Sequence, residues 1–433
     1  MRGDTTMLRI GTVFSGIGAF EHALERLHIP HTISFACDNG GIDIWKGKSE
    51  KEIADAKLFI HSIKDPKEKK DYIDNLYLNT RKTNFVERSY MSNYTLEKEH
   101  FHQDATFLDG NIYKDNIDIF VGGSPCQSFS IAGKKGGLED TRGTLFYDFA
   151  RLVKEIQPTV FIYENVKGVL SHDKGKTWAI MSNTFHELGY DWHYSVLTPT
   201  NYGIPQRRYR LFVVGFKRQT SFAFPLPKPL TTTMKDYLMD HTPEKYFLNE
   251  KGSTFVVNEE KIKKKHTQIN GEISLCQKAN QQFNLHGDFI YEPSPTPLNL
   301  IPDKYFLSSK LIKYVLSTDT KGYKVTPTID TDIAKSLLAT MHKMHRAQID
   351  NYVTTNGRLR KLMPRECLRL MGFCDSFKQV VSDHQMYRQA GNSIVVDVLM
   401  AIVNEILQTN LFPSLSPSRN HLPLPTNTQK QAK

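Results

Sequence analysis

The chain has 433 residues, enough to bury a sizeable core in one large domain with a second lobe. Hydrophobic residues make up 39% and charged residues 24%, an ordinary balance for a soluble globular protein, and no apolar run reads as long enough to span a bilayer. The formal net charge of +10 suits a polyanion such as nucleic acid, although a solvated basic surface gives the same figure.

Met1 to Thr6 is polar and lacks a signal-peptide core, so an intracellular location is expected. The five cysteines are odd in number and none pairs at metal-ligand spacing, which indicates neither a disulfide framework nor a zinc site. His342 and His345 would share a helix face but have no third ligand nearby, so no metal is expected.

In chain order, Leu8 to Phe14 reads as a buried strand. Phe20, Ala23, Leu24 and Leu27 recur at helical spacing until Pro30. Thr32 to Cys37 is a second strand. Residues 45 to 115 are rich in Lys, Glu, Asp and Asn and read as a surface insertion. Ile117 to Val121 is a strand ending in Gly122-Gly123. Leu145, Phe146, Phe149, Leu152, Val153 and Ile156 form an amphipathic helix closed by Pro158. Thr159 to Tyr163 is a strand and Trp178 to Leu188 a helix. Trp192 to Leu197 and Tyr209 to Val214 are strands joined by too short a loop for a crossover helix, which predicts an antiparallel pair. This alternation predicts a doubly wound, Rossmann-like α/β sheet, mostly parallel. Pro225, Pro227 and Pro229 read as a linker into a smaller lobe. Ile394 to Ile406 carries a wide apolar helical stripe, and 411–433 reads as a disordered tail.

Four motifs carry chemistry. Phe14-Ser-Gly-Ile-Gly18 lies at a strand-to-helix turn, where glycines admit a ligand close to the backbone. Position 21 is Glu, which suits a pyrophosphate poorly and an amino-acid-bearing cofactor better. Asp38, 20 residues beyond Gly18, stands where an acid binds ribose hydroxyls. Gly122-Gly-Ser-Pro-Cys-Gln-Ser-Phe-Ser130 places Cys126 just after a strand, at the edge where parallel sheets bind ligands. Tyr163-Glu-Asn-Val166 sets Glu164 on the same edge. In Gln206-Arg-Arg-Tyr-Arg210, strand alternation would put Gln206, Arg208 and Arg210 on one face, able to meet phosphates or hold a carboxylate. A basic strand edge is the plainer reading of that last motif.

In this order the four motifs resemble those of the DNA cytosine carbon-5 methyltransferase family, of the restriction-modification type. Asp140-Thr-Arg-Gly-Thr-Leu-Phe146, Arg360 to Phe373 and Gln389-Ala-Gly-Asn-Ser393 match further family blocks. The resemblance covers about 1 to 408, except 45 to 100 and much of 226 to 350. It implies S-adenosylmethionine as cofactor, held by Phe14, Gly16, Ile17, Gly18, Asp38, Asn111, Ile112, Pro125, Leu145, Asn392 and Ser393. It implies Cys126 as nucleophile, Glu164 as acid, and Arg208 holding the glutamate or the base carbonyl. Gln127, Ser128, Gln206 and Arg210 would contact DNA. Two departures stand out: Asp38 where the family has Glu, and Gly110-Asn111-Ile112 where it has Gly-Asp-Ile.

The expected organisation is a catalytic domain of 1–225 plus 385–410, with a target-recognition lobe and hinge over 226–384. The expected partner is double-stranded DNA, with no membrane, a monomeric state, a possible separate restriction endonuclease, and a bacterial cytoplasmic, nucleoid-associated location. The rivals are a tRNA cytosine-5 methyltransferase and a catalytically inactive nucleic-acid-binding regulator. The long segment between Arg210 and Arg360 favours DNA over tRNA, and intact Cys126, Glu164 and Arg208 disfavour the regulator.

Overall fold

Short β-branched and aromatic runs, alternating with amphipathic helices, build the α/β sheet that the sequence implies. The computed structural model describes residues 7–125, 145–239, 267–269, 287–289, 305–316, 319–320, 323–324, 329–341, 350–355 and 358–415. The chain divides into two compact units. The first is Met1–Leu197, Tyr209–Leu226 and Val398–Leu422, and the second is Thr198–Arg208, Pro227–Asp397 and Pro423–Lys433.

The first unit contains β1 (Leu8–Val13), α1 (Ala19–Arg26), β2 (His31–Cys37), α2 (Glu50–Ser62), α3 (Pro66–Asn79), α4 (Phe85–Asn93), β3 (Phe101–His102), β4 (Ile119–Gly122), α5 (Leu145–Ile156), β5 (Val160–Val166), α6 (Lys176–Glu187) and β6 (Asp191–Leu197). After β7 (Gln206–Arg207), which belongs to the second unit, β8 (Arg210–Phe216) completes the sheet. Its strand order is β3-β2-β1-β4-β5-β8-β6. β1 to β5 run parallel, while β8 pairs antiparallel with both β5 and β6, as the short loop between the last two strands requires.

α5 shows why the fold holds. Its Phe146, Phe149, Leu152, Val153 and Ile156 are buried in one cluster with Phe120, Phe161, Tyr163 and Phe185. The Phe149 ring stacks on Phe120 at 5.2 Å with 14° between planes. Each such side chain contributes about 1.5–3 kcal/mol by leaving water.

Residues 45–115 are not a loose surface insertion. α2 starts at a capping box, Ser49 with Glu52, and α3 at Asp65 with Pro66 in its first turn. Ile60, Tyr77, Tyr90 and Tyr94 are buried, and Phe101–His102 pairs with Ala36–Cys37 as an edge strand of the main sheet. The helices escape a reading by periodicity because each hides a narrow stripe: Ile60 alone on α2, Ile73 and Tyr77 on α3.

In the second unit, β7 pairs parallel with Ala334–Lys335, and helices span Ser309–Leu316, Pro364–Leu370 and Asp383–Asn392. The last of these packs so closely that a Cβ on Gly391 would collide with the backbone of Leu338 and Ala339. The expectation that nothing here could span a bilayer needs correction by length and composition. Within the 26 residues Asp383–Gln408, the most apolar 18 have a mean hydropathy of 1.6, and 72% of those are buried within the protein, as in a core helix.

Candidate active site

The parallel strands end in register. His102 pairs with Cys37, Cys37 with Val13, Val13 with Gly122, and Gly122 with Tyr163. The residues that follow, Gln103-Asp104, Asp38, Phe14-Ser15-Gly16, Gly123-Ser124-Pro125 and Glu164, therefore share one rim. The strand order reverses between β1 and β4, and ligands of doubly wound sheets bind at such a carboxyl-end switch point.

The glycine-rich turn is built for close approach. Phe14, Gly16 and Gly18 all hold left-handed φ, at 54°, 54° and 77°. Such a φ costs a phenylalanine energy and persists only where the surroundings enforce it. Space is open beside Gly16, where an added Cβ would meet nothing within 4 Å. At Gly18 a Cβ would strike the ring of Tyr94, whose hydroxyl donates to Gly18 O at 2.7 Å. Asp38 accepts from Gly16 N at 3.0 Å and Gly40 N at 2.8 Å, tying the end of β2 to the turn. Glu21 is not presented to a ligand. It is buried under the turn, receiving Tyr90 Oη at 2.6 Å and Thr12 Oγ1 at 2.9 Å, and burial pushes its pKa up.

On the other half of the rim, Arg210 Nε lies 3.0 Å from Glu164 Oε1. The antiparallel register makes this pair, since Val166 faces Arg210 and Glu164 faces Phe212, leaving Arg210 diagonal to Glu164. Gly123 packs closely on this pair, since a Cβ there would sit 3.0 Å from Glu164 Oε2 and 3.3 Å from the Glu164 carbonyl oxygen. Beneath, Ser124 Oγ meets Tyr163 Oη at 2.6 Å, and Asn165 Nδ2 donates to Tyr163 Oη at 2.7 Å and Ser124 O at 3.3 Å. This buried network fixes the segment ending at exposed Pro125 against the strand carrying Glu164.

A model of C-5 cytosine-specific DNA methylases matches residues 75–408. The chain belongs to the C-5 cytosine-specific DNA methylase family.

Type II methyltransferase M.HhaI of Haemophilus parahaemolyticus is 35% identical over 70% of this methylase and 79% of its own length. M.HpaII of Haemophilus parainfluenzae is 35% identical over 68% and 73%. A putative DNA modification methyltransferase encoded within an E. coli prophage shares the fold, with a TM-score of 0.52 at 19% identity, over 93% of this chain and 99% of that one.

Within this methylase, Cys126, Gln127 and Ser128 lie outside the described residues, as do His342, His345 and most of 240–304. Pro125 and Leu145 stand at the rim's open end and at the first residue of α5.

Several expectations need correction. Arg208, expected to hold the glutamate or the base carbonyl, is buried in the second unit. Its Nη1 donates to Leu337 O at 2.9 Å, and its Nη2 to Gly391 O and Ser393 O, each at 3.0 Å. The guanidinium bonded to Glu164 is that of Arg210, expected at DNA. Gln206, also expected at DNA, is fully buried, bonding Leu370 O at 2.8 Å and receiving Leu337 N at 3.0 Å. Alternation fails because the strand is interrupted at 208–209, between β7 and β8.

Asn111 and Ile112 are displaced too. α5 runs from the rim to the opposite edge of the sheet. Thr106 bonds Asp148 in its first turn, whereas Gly110 N bonds Glu155 near its last residue. The turn Gly110–Tyr113 therefore sits at the far end, with Asn111 exposed and bonded to Asp109. The acid at the end of β3 is Asp104, which the sequence reading missed. Asn392 and Ser393 close the helix Asp383–Asn392 in the second unit, Asn392 exposed and Ser393 buried.

Proposed function

We propose that this DNA (cytosine-5-)-methyltransferase methylates cytosine within a specific duplex sequence through a covalent bond from Cys126, as the modification enzyme of a restriction-modification system. The observation that carries this reading is the Glu164–Arg210 pair packed over Gly123, three residues before Cys126 and on the strand-end rim.

Carbon 5 of cytosine is a weak nucleophile. The Cys126 thiolate adds to carbon 6, which makes carbon 5 enamine-like, and cysteine suits the step because it is both nucleophile and leaving group. Charge developing on the ring is met at nitrogen 3 by a proton on Glu164, with the cationic Arg210 beside it. Loss of the carbon-5 proton then breaks the sulfur–carbon bond and frees the thiolate. A base stacked in a duplex is out of reach of this rim, so the cytosine is turned out of the helix.

The rim fits S-adenosylmethionine. Open space beside Gly16 admits a ligand to the backbone, Asp38 offers a carboxylate for ribose hydroxyls, and Asp104 offers one beyond it. Phe14, Ile17 and Gly18 shape the turn, and Pro125 and Leu145 border it. When bound, the cofactor supplies the electrophilic methyl group.

The test measures transfer of a labelled methyl group to duplex DNA and to tRNA, and trapping on DNA containing 5-fluorocytosine. Wild type is expected to label DNA and form a trapped adduct. Cys126→Ser is expected to do neither while still binding DNA. Labelling by the serine variant at a rate near wild type, or labelling of tRNA alone, contradicts the reading.

A further inference from the structure

The α2–α3 hairpin reaches the strand-end rim through Tyr77. Tyr77, near the end of α3, is buried, and its hydroxyl donates to Asp104 Oδ2 at 2.9 Å. One side chain thus ties the hairpin to Asp104 at the end of β3, the strand paired with the one that leads into Asp38.

The loop after β3 is gripped from two sides. From α5, Arg151 donates to Ala105 O at 2.7 Å and Leu108 O at 2.8 Å, and Glu155 receives Gly110 N at 2.8 Å. From the hairpin side, Phe107 is buried among Ile42, Ile44, Ile60, Ile73 and Tyr77. The α5 grip holds backbone groups and the Thr106 hydroxyl, and does not touch the Asp104 carboxylate. Asp104's own carboxylate is oriented by Thr106 N on Oδ1, at 3.0 Å, and by Tyr77 on Oδ2. Burial raises the pKa of Asp104, and both hydrogen bonds oppose that rise, so they favour the charged acceptor as well as its direction.

We propose that Tyr77 is a positioning residue for the adenosine end of the cofactor pocket, and that the α2–α3 hairpin sets how tightly this enzyme holds its cofactor. The inference rests on the reading of Asp38 and Asp104 as cofactor-facing acids. A hydroxyl that only completes the packing of the hairpin is the competing account, and the two differ in what its removal does.

The experiment compares wild type with Tyr77→Phe, which keeps the ring and removes the hydroxyl. Binding of S-adenosylhomocysteine and of 5′-methylthioadenosine, which lacks the amino-acid portion, is measured by calorimetry, alongside Tm and the methyl-transfer rate at saturating cofactor. Losing a hydrogen bond to a charged group that contacts the ligand is expected to raise both dissociation constants on the order of 10-fold. KM for S-adenosylmethionine should rise in step, and the saturated rate should stay within about two-fold, because no transition-state contact is touched. If the melting point falls as well, both dissociation constants are measured below the onset of unfolding, where the same rise is expected. Unchanged binding in a folded variant overturns the proposal, as does weakening of S-adenosylhomocysteine without 5′-methylthioadenosine. Failure of wild type to bind either ligand overturns the cofactor reading itself.

Discussion

On the sheet rim, Asp38, Glu164 and Arg210 stand partly exposed on strand ends, whereas in the second unit Gln206, Arg208 and Glu366 are buried and bonded to backbone groups. Both regions carry family motifs written in the same polar residues. The first keeps polar atoms within reach of a ligand. The second knits 337–339, 370–371 and 391–393 together, with Gln206 and Arg208 as the stitches and Gly391 as the point of closest approach. Motif membership alone therefore does not separate chemistry from folding, and burial with backbone partners does.

Substitutions in the two regions should fail in different ways. The largest effect is expected from Glu164→Gln, which keeps the shape but cannot protonate the ring. Its single-turnover rate should fall on the order of 10²–10⁴-fold with the urea midpoint unchanged. A variant that loses S-adenosylhomocysteine binding yet turns over normally at saturation would place Glu164 in the cofactor pocket instead.

Arg208→Ala should act through stability. It strands three buried carbonyls, which costs about 3 kcal/mol. Gly391→Ala forces the Leu338–Ala339 backbone apart and should cost about 1–3 kcal/mol. For both, activity lost on warming should track the unfolded fraction measured by circular dichroism. Retention of full stability with lost methyl transfer would move either residue out of the structural group.

Much of this division was legible in the sequence. α5 spans the residues its apolar spacing marks, and Glu164 lies within β5, just past the last residue that pairs with β4. The misassignments have physical causes. The 206–210 segment looks like one alternating strand, but a break at 208–209 parts Gln206 and Arg208 from Arg210, and nothing local reveals it. β3 is two residues long, too short for any periodicity, so Asp104 lay hidden in a charged stretch. The Gly-Asn-Ile string drew attention away to the opposite edge. The hairpin could have been found from its caps, Ser49 with Glu52 and Asp65 before Pro66, rather than from amphipathicity. Tyr77 carried no local signal, since its partner Asp104 is distant in sequence.

The most direct test of the central claim, that the rim pair is Glu164 with Arg210, is the single-turnover rate of Arg210→Ala on duplex DNA at saturating S-adenosylmethionine. The rate is expected to fall on the order of 10²-fold or more, with S-adenosylhomocysteine affinity and Tm close to wild type. A rate within a few-fold of wild type would contradict the account and return the catalytic role to another arginine.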